Sequence, residues 1–347
     1  MSSVFLPPNQ TRGRILYDPQ KSSTAKKLSG YSYSNCYGSG HCGYGVVYND
    51  TITVGGISAT LPFEVSTGNN GIGNSQGNGD SGDFGLAYSQ NGMSTSPKAV
   101  PTWFQTIMNQ LESKTFAIHH EQDQGQIQFG YVDSSYDIGY APLNADYYWG
   151  VNFTGYLAAG NYIPRTWTVV VDTGTSRSSL PPDIARDYFK TVPGSTETGS
   201  GYTYPCDTAL PDFVYGIGSF RGIIPGTFLQ GNETSNGRCS SILGISDGSV
   251  IFGQNFIKAQ YVVFDYGGRR VGFGNKVASQ SSSTSPVTSA MTSEAASTNS
   301  TSPAASANPT IAPPVMSTAH SLRTNSKLGW NEVVSLVALW LFLKLIS

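Results

Sequence analysis

The stretch Trp167-Thr-Val-Val-Val-Asp-Thr-Gly-Thr-Ser176 carries one carboxylate out of an apolar, β-branched run and into a glycine-containing turn. β-Branched residues favour a packed strand, and Gly174 lets the backbone turn tightly behind Asp172. A carboxylate ending a buried strand is held rigidly, and the hydroxyls of Thr175 and Ser176 can hydrogen-bond and orient it. A bare Asp-Thr-Gly more often closes an ordinary hairpin, so the reading depends on the residues around it.

Outward from this turn the chain reads as many short strands between tight turns. It holds 40 Gly and 20 Tyr among 347 residues, only 12% of them charged, with a net charge of −2. That length suits two domains of ordinary size, and the balance is that of an all-β secreted protein. No Lys/Arg cluster is dense enough to neutralise a row of phosphates, which sets nucleic-acid binding aside. Strands are expected at 46–54, 126–129, 167–171, 212–215, 250–252 and 261–264. The clearest helical signal runs from Pro101 to Leu111, where Trp103, Phe104, Ile107, Met108 and Leu111 recur at helical spacing.

The four cysteines, Cys36, Cys42, Cys206 and Cys239, lack the spacing of a structural zinc site and read better as disulfides than as free thiols. Proximity pairs Cys36 with Cys42 and Cys206 with Cys239, although four cysteines allow three connectivities. Acceptor patterns for N-glycosylation begin at Asn9, Asn49, Asn152, Asn232 and Asn299. With the cysteines they favour an oxidising, extracytoplasmic location, secreted or at the cell surface.

From about Ser279 to Thr318 the chain turns to Ser, Thr, Ala and Pro, too poor in large apolar residues to fold, and reads as a disordered stalk. A polar spacer then leads to the apolar run from Val333 to Ile346. At about 1.5 Å per residue such a run is short of the roughly 30 Å hydrocarbon core. It has the look of a glycolipid (GPI) attachment signal, with Ser321 or Asn325 as candidate attachment sites, the alternative being a membrane tail anchor. The first eight residues, Met1-Ser-Ser-Val-Phe-Leu-Pro-Pro8, do not have the pattern of a signal peptide.

With its context, the apolar-apolar-Asp-Thr-Gly-Thr-Ser run resembles the active-site motif of pepsin-family aspartic proteases, in the form typical of the second lobe. Other segments are similar to that family in the expected order. Val250-Ile-Phe-Gly253 through Asp265, followed by Arg270-Val-Gly-Phe273, resembles its C-terminal run, and Cys206 to Cys239 its second-lobe disulfide loop. Gly125-Gln-Ile-Gln-Phe-Gly130 resembles the end of the first lobe. Tyr37-Gly-Ser-Gly40 with the strand after it resembles the flap, the hairpin that closes over substrate. Cys36 and Cys42 bracket that turn, which departs from the common pattern, and a bridge there would stiffen it. Ser81-Gly-Asp-Phe-Gly-Leu-Ala87 is a looser match, with Asp83 in place of an apolar residue.

The resemblance implies a bilobal all-β acid-protease fold with a substrate cleft between lobes. It divides the chain into an N-terminal lobe at 1–143 carrying the flap, a C-terminal lobe at 144–277 carrying Asp172, a stalk at 278–325 and the anchor signal at 326–347. It implies an aspartic endopeptidase in which Asp172 is catalytic and Tyr37, Gly38, Ser39, Gly174, Thr175 and Ser176 line the substrate site. No metal or cofactor is implied, and the partners are a peptide or protein substrate and, through the C-terminal anchor, a membrane. The protein is expected to be a monomer.

The chemistry needs two carboxylates that share a proton, one ionised to activate a water and one protonated to assist at the scissile carbonyl. Ser2-Ser3-Val-Phe-Leu-Pro7 resembles the segment that in this family comes after the first Asp-Thr-Gly, and no acidic residue occurs before Asp18. The first aspartate is therefore expected just upstream of Met1. A sequence beginning inside a longer protein explains that gap and the missing leader together. The alternative is a catalytically inactive, pepsin-like peptide-binding protein of the cell surface. A serine hydrolase finds less support, because His41, His119, His120 and His320 sit in no recognisable catalytic arrangement.

Overall fold

The structure, a computed structural model, describes residues 4–5, 17–36, 42–69, 82–89, 94–121, 124–146, 148–199, 201–276 and 320–321. Strands dominate, as the composition predicts, and they fall into four sheets among the described residues.

The first sheet belongs to the N-terminal half. A long hairpin, Lys26–Cys36 and Cys42–Val54, is extended by Ile57–Asn69, and Val4–Phe5 pairs parallel to Glu64–Val65. Gly82–Asp83 closes one edge and Thr95–Ser96 the other. The tight turn at Gly55 and Gly56, both at positive φ, joins the second and third strands with a register that pairs Val54 with Ile57.

Two sheets make up the body of the C-terminal half. In one, Gly150–Ala158 and Asn161–Val171 form a hairpin flanked by Phe213–Ile217 and Phe220–Ile224 on one side and by the short parallel strand Ile251–Phe252 on the other. In the second, Ser178–Leu180 runs parallel to Leu243–Ile245, within a sheet completed by Gly201–Pro205, Thr196–Thr198 and Gln230–Ser235. The parallel pair at Val4–Phe5 and the parallel pair at Ser178–Leu180 are thus repeated features of the two halves.

The fourth sheet draws on both halves. Its order is His320–Ser321, Gln124–Phe129, Thr115–Glu121, Gln260–Asp265, Arg270–Asn275 and Ile138–Pro142. The first-half strand 115–121 lies directly beside the last-half strand 260–265, with Phe116 stacked on Phe264 at 4.7 Å between ring centroids.

The helices are short. Trp103–Ile107 is capped by a reciprocal pair, Thr102 and Gln105, and passes into a tight turn at Met108–Gln110, so the helix is shorter than the apolar spacing suggests. Trp103, Phe104 and Ile107 are buried beneath it as that spacing predicts. Two further helices, not among the expected elements, are Pro182–Phe189 and Gln254–Ala259. Behind the Asp172 strand, Phe153, Trp167, Tyr215, Phe252 and Phe273 form one aromatic cluster, each fully or almost fully buried. Burying a side chain of this size stabilises by about 1.5–3 kcal/mol, which anchors the strand that presents the carboxylate.

Candidate active site

The strand Asn161–Val171 alternates until its last three residues, Val169, Val170 and Val171, which are all buried. The reason lies in its neighbours. Gly150–Ala158 pairs with it on one edge, and Ile251–Phe252 pairs parallel with Val170 and Val171 on the other. The Asp172 N–H donates to the carbonyl of Phe252 at 3.0 Å, so the carboxylate leaves the strand at the point where both neighbours still hold it.

Asp172 is only 4% exposed. Its Oδ1 accepts from the Gly174 N–H at 2.8 Å and its Oδ2 from the Thr175 hydroxyl at 2.6 Å. Among the described residues no second carboxylate is hydrogen-bonded to it. Burial pushes its pKa up to about 6, and the Thr175 and Gly174 hydrogen bonds, which favour the ionised form, hold it from rising further. A carboxyl in that range keeps its proton in mild acid yet can ionise with a small change in surroundings.

The turn is gripped from behind by Gly253 and the residues after it. The Gln254 N–H donates to the Thr175 carbonyl at 2.8 Å, and Gln254 Nε2 donates to the Thr173 carbonyl at 3.1 Å. The buried hydroxyl of Ser178 accepts from the Gly253 N–H at 2.9 Å and donates to Asn255 Oδ1 at 2.5 Å. Sequence reasoning did not single out Ser178, Gln254 or Asn255. Their signal is the polar pair Gln254-Asn255 interrupting an otherwise apolar run just after Gly253.

Of the residues expected around the substrate, the structure brings Gly174, Thr175 and Ser176 together with Asp172. Gly174 is buried, Thr175 half-buried and Ser176 exposed. Tyr37, Gly38 and Ser39, and with them His41, lie outside the described residues. The hairpin that would carry them is present up to its last pair, Cys36 opposite Cys42, and these two are joined by a disulfide. Cys206 and Cys239 are joined as well, which settles the connectivity as the pairing by proximity. Asp83 is half-buried in a two-residue strand beside Val4–Phe5.

Asn49, Asn152 and Asn232 all lie on strands. Asn152 and Asn232 are exposed and Asn49 half-exposed, and Asn152 Oδ1 already accepts from Asn144 and from Thr168. Asn9, Asn299 and Asn325, the stalk and the apolar run to Ile346 lie outside the described residues, whereas Ser321 pairs with Gln128 at the edge of the shared sheet. No helix among the described residues is long and apolar enough to cross a membrane.

Comparison with known sequences decides the affiliation. The profile of the family described as eukaryotic aspartyl protease matches residues 5–276. The chain belongs to this family. It is similar to Aspergillopepsin-1 of Aspergillus fumigatus, 33% identical over 286 residues that cover 78% of this chain and 71% of that protein. It is also similar to Penicillopepsin-2 of Penicillium janthinellum, 35% identical over 284 residues with the same coverage. The Aspartic protease pepA of Arthroderma gypseum is 31% identical over 295 residues, covering 78% of this chain and 72% of that protein. The family match spans the hairpin, the Asp172 turn and the strands of the shared sheet up to Asn275, and it ends one residue later, before the Ser/Thr-rich segment.

Proposed function

We propose that the protein is an aspartic endopeptidase that cleaves peptide bonds in acid, with Asp172 as one of two aspartates sharing a proton and activating a water. The observation that carries this is the buried Asp172 carboxyl, fixed by two hydrogen bonds and raised to about 6. An aspartate held in this way is suited to exchange a proton with a twin, because two like charges in close contact cannot both ionise at low cost.

The repeated parallel pair supports a location for the twin. Ser178, which opens the second-half strand opposite Leu243, stands six residues after Asp172. Val4 opens the corresponding first-half strand opposite Glu64. The same offset puts the counterpart of Asp172 upstream of Met1. On this reading the N-terminal lobe at 1–143 and the C-terminal lobe at 144–277 each give one aspartate. An extended peptide lies between them, with the Tyr37–Ser39 turn closing over it and Gly174, Thr175 and Ser176 contacting its backbone. The endopeptidase acts as a monomer outside the cytoplasm, carries N-linked sugar, and is held to the surface by the signal at 326–347 beyond the stalk at 278–325.

The test compares this chain with one extended by the coding sequence upstream of it, assayed in acid on a denatured protein. The extended chain is expected to cleave, and Asp172→Asn is expected to lower kcat by about a hundred- to ten-thousandfold. Activity that survives the substitution refutes the assignment. Peptide binding without cleavage in the extended chain would establish the inactive peptide-binding protein instead.

A further inference from the structure

Gln254 grips the Asp172 turn twice: its backbone N–H donates to the Thr175 carbonyl at 2.8 Å and its side-chain Nε2 to the Thr173 carbonyl at 3.1 Å. The backbone bond fixes the point from which the side chain reaches. The peptide unit that begins at the Thr173 carbonyl ends at the Gly174 N–H, and this N–H donates to Asp172 Oδ1 at 2.8 Å. A trans peptide is planar, with its C=O and N–H pointing in opposite directions, so the two hydrogen bonds run in series through one amide. The side chain of Gln254 therefore touches the far end of the same peptide that holds the carboxylate.

Thr173 and Gly174 are both buried, so this series of dipoles is shielded from water. A donor on a peptide oxygen makes the N–H of the same amide a better donor, strengthening the next bond by about 10–30%. The charged and titratable groups on the surrounding elements are engaged elsewhere. Arg177 donates to the Ser241 carbonyl, Arg165 pairs with Asp183, and Asp146 pairs with Arg269. Lys258, in the last turn of the helix that Gln254 opens, acts on His120, and Tyr215 behind the strand donates to Gln260. Asp247, before the strand Ile251–Phe252, is exposed. What sets the Asp172 carboxyl is its burial and the bonds from Thr175 and Gly174, and the Gly174 bond is the one that Gln254 reaches.

We propose that Gln254 is a positioning residue for the reacting carboxyl: its side-chain amide holds and polarises the peptide that in turn holds Asp172 Oδ1. The role rests on the endopeptidase reading above, but titration of Asp172 tests it without cleavage. The Gly174 bond favours the ionised form of Asp172 and so works against burial, which favours the protonated one. Loss of the Gln254 donor weakens the Gly174 bond. Scaled from the ordinary strength of a hydrogen bond to a charged group, that loss raises the Asp172 midpoint by about 0.1 to 0.7 pH unit. A carboxylate in place of the amide raises it further, because a like charge is added as the donor is removed.

The test follows the Asp172 carboxyl carbon by NMR across pH in the full chain labelled at aspartate, with Asp172→Asn to assign the signal. Gln254→Met keeps the length of the side chain and removes the donor, and should raise the Asp172 midpoint by about 0.1 to 0.7 pH unit. Gln254→Glu should raise it more. In the parent, the Gln254 side-chain N–H protons and the Gly174 N–H should shift with the Asp172 midpoint, which decides the matter if either variant fails to fold. A midpoint unchanged or lowered in Gln254→Met, one no higher in Gln254→Glu than in Gln254→Met, or Gln254 protons that ignore the Asp172 titration overturns the proposal. In the upstream-extended chain, Gln254→Met should displace the pH profile of kcat toward higher pH with little change in KM, and a profile that stays in place also overturns it. If the titration follows Gln254 but the extended chain with Asp172 intact cleaves nothing, the endopeptidase reading fails and the hold of Gln254 on the carboxyl stands.

Discussion

Gly253 lies against the backbone of Arg177: a Cβ placed on it would stand 2.2 Å from the Arg177 carbonyl oxygen and 2.3 Å from that of Thr175. Both oxygens belong to the main chain of the Asp172 turn and its continuation, so neither can swing aside. Gly253→Ala is therefore expected to cost about 1–3 kcal/mol in chemical denaturation. Because Thr175 must shift, peptide turnover should fall by more than the loss of folded protein explains. Wild-type stability in this variant would show that the turn is not clamped from behind.

Asp172 sets a pH dependence of stability with a definite sign. Its folded pKa, about 6, lies above the ordinary carboxylate value, so between about pH 4 and 6 the folded state holds a proton that the unfolded chain has released. The stabilisation is complete below about 4 and is lost as pH rises through about 6. Asp172→Asn cannot ionise, and should raise stability at pH 7 to 8 by up to about 3 kcal/mol relative to the parent, the gain vanishing below about pH 4. Denaturant melts of both proteins across that range check it; a gain that grows in acid contradicts it.

Asp50 behaves in the opposite way. It is buried at 3% exposure and accepts from the hydroxyls of Tyr17, Ser22 and Thr24 and from the Thr51 N–H, tying the segment after residue 16 to the long hairpin. Burial pushes its pKa upward, but these bonds together outweigh burial and hold it below the usual range. Its stabilisation is present above about pH 4 and fades as pH falls through the lowered value. Asp50→Ala should cost about 2–3 kcal/mol near neutrality, with a smaller difference in strong acid.

The two disulfides close loops of very different length, with sequence separations of 33 for Cys206–Cys239 and 6 for Cys36–Cys42. On chain-entropy grounds, replacing both members with Ser should cost about 4 kcal/mol for the first and about 2 for the second. Melting curves of the two double variants under oxidising conditions rank them. The reverse order would mean that the short bridge acts on the native hairpin more than on the unfolded chain.

The Asp172 turn was legible because chemistry and fold coincide there: a β-branched run needs two flanking strands, and Asp-Thr-Gly needs a sharp exit. Val170 and Val171, buried between two edges, are the direct result. The helix Gln254–Ala259 was hidden by its length, since about one and a half turns cannot establish a 3.6-residue period. Pro182–Phe189 did carry a signal, in Pro182 and Asp183 at its start and in Ile184, Ala185, Tyr188 and Phe189 spaced four apart on one face, but a helix of about two turns gives that period little room to repeat. The pairing of Val4–Phe5 with Glu64–Val65 was beyond reach, because register between distant strands is set by tertiary packing. The positioning role of Ser178 was equally hidden, because its partners Gly253 and Asn255 are brought to it only by the fold.

The sheet that sets strands from early in the chain against strands from late in it makes the molecule topologically indivisible. A nick in the connection between Pro142 and Gly150 would leave two fragments, neither able to complete that sheet alone, with Thr115–Glu121 still laced to Gln260–Asp265. Any change in the angle between the halves must therefore be taken up by flexing these strands, which act as a leaf spring rather than as a loose joint.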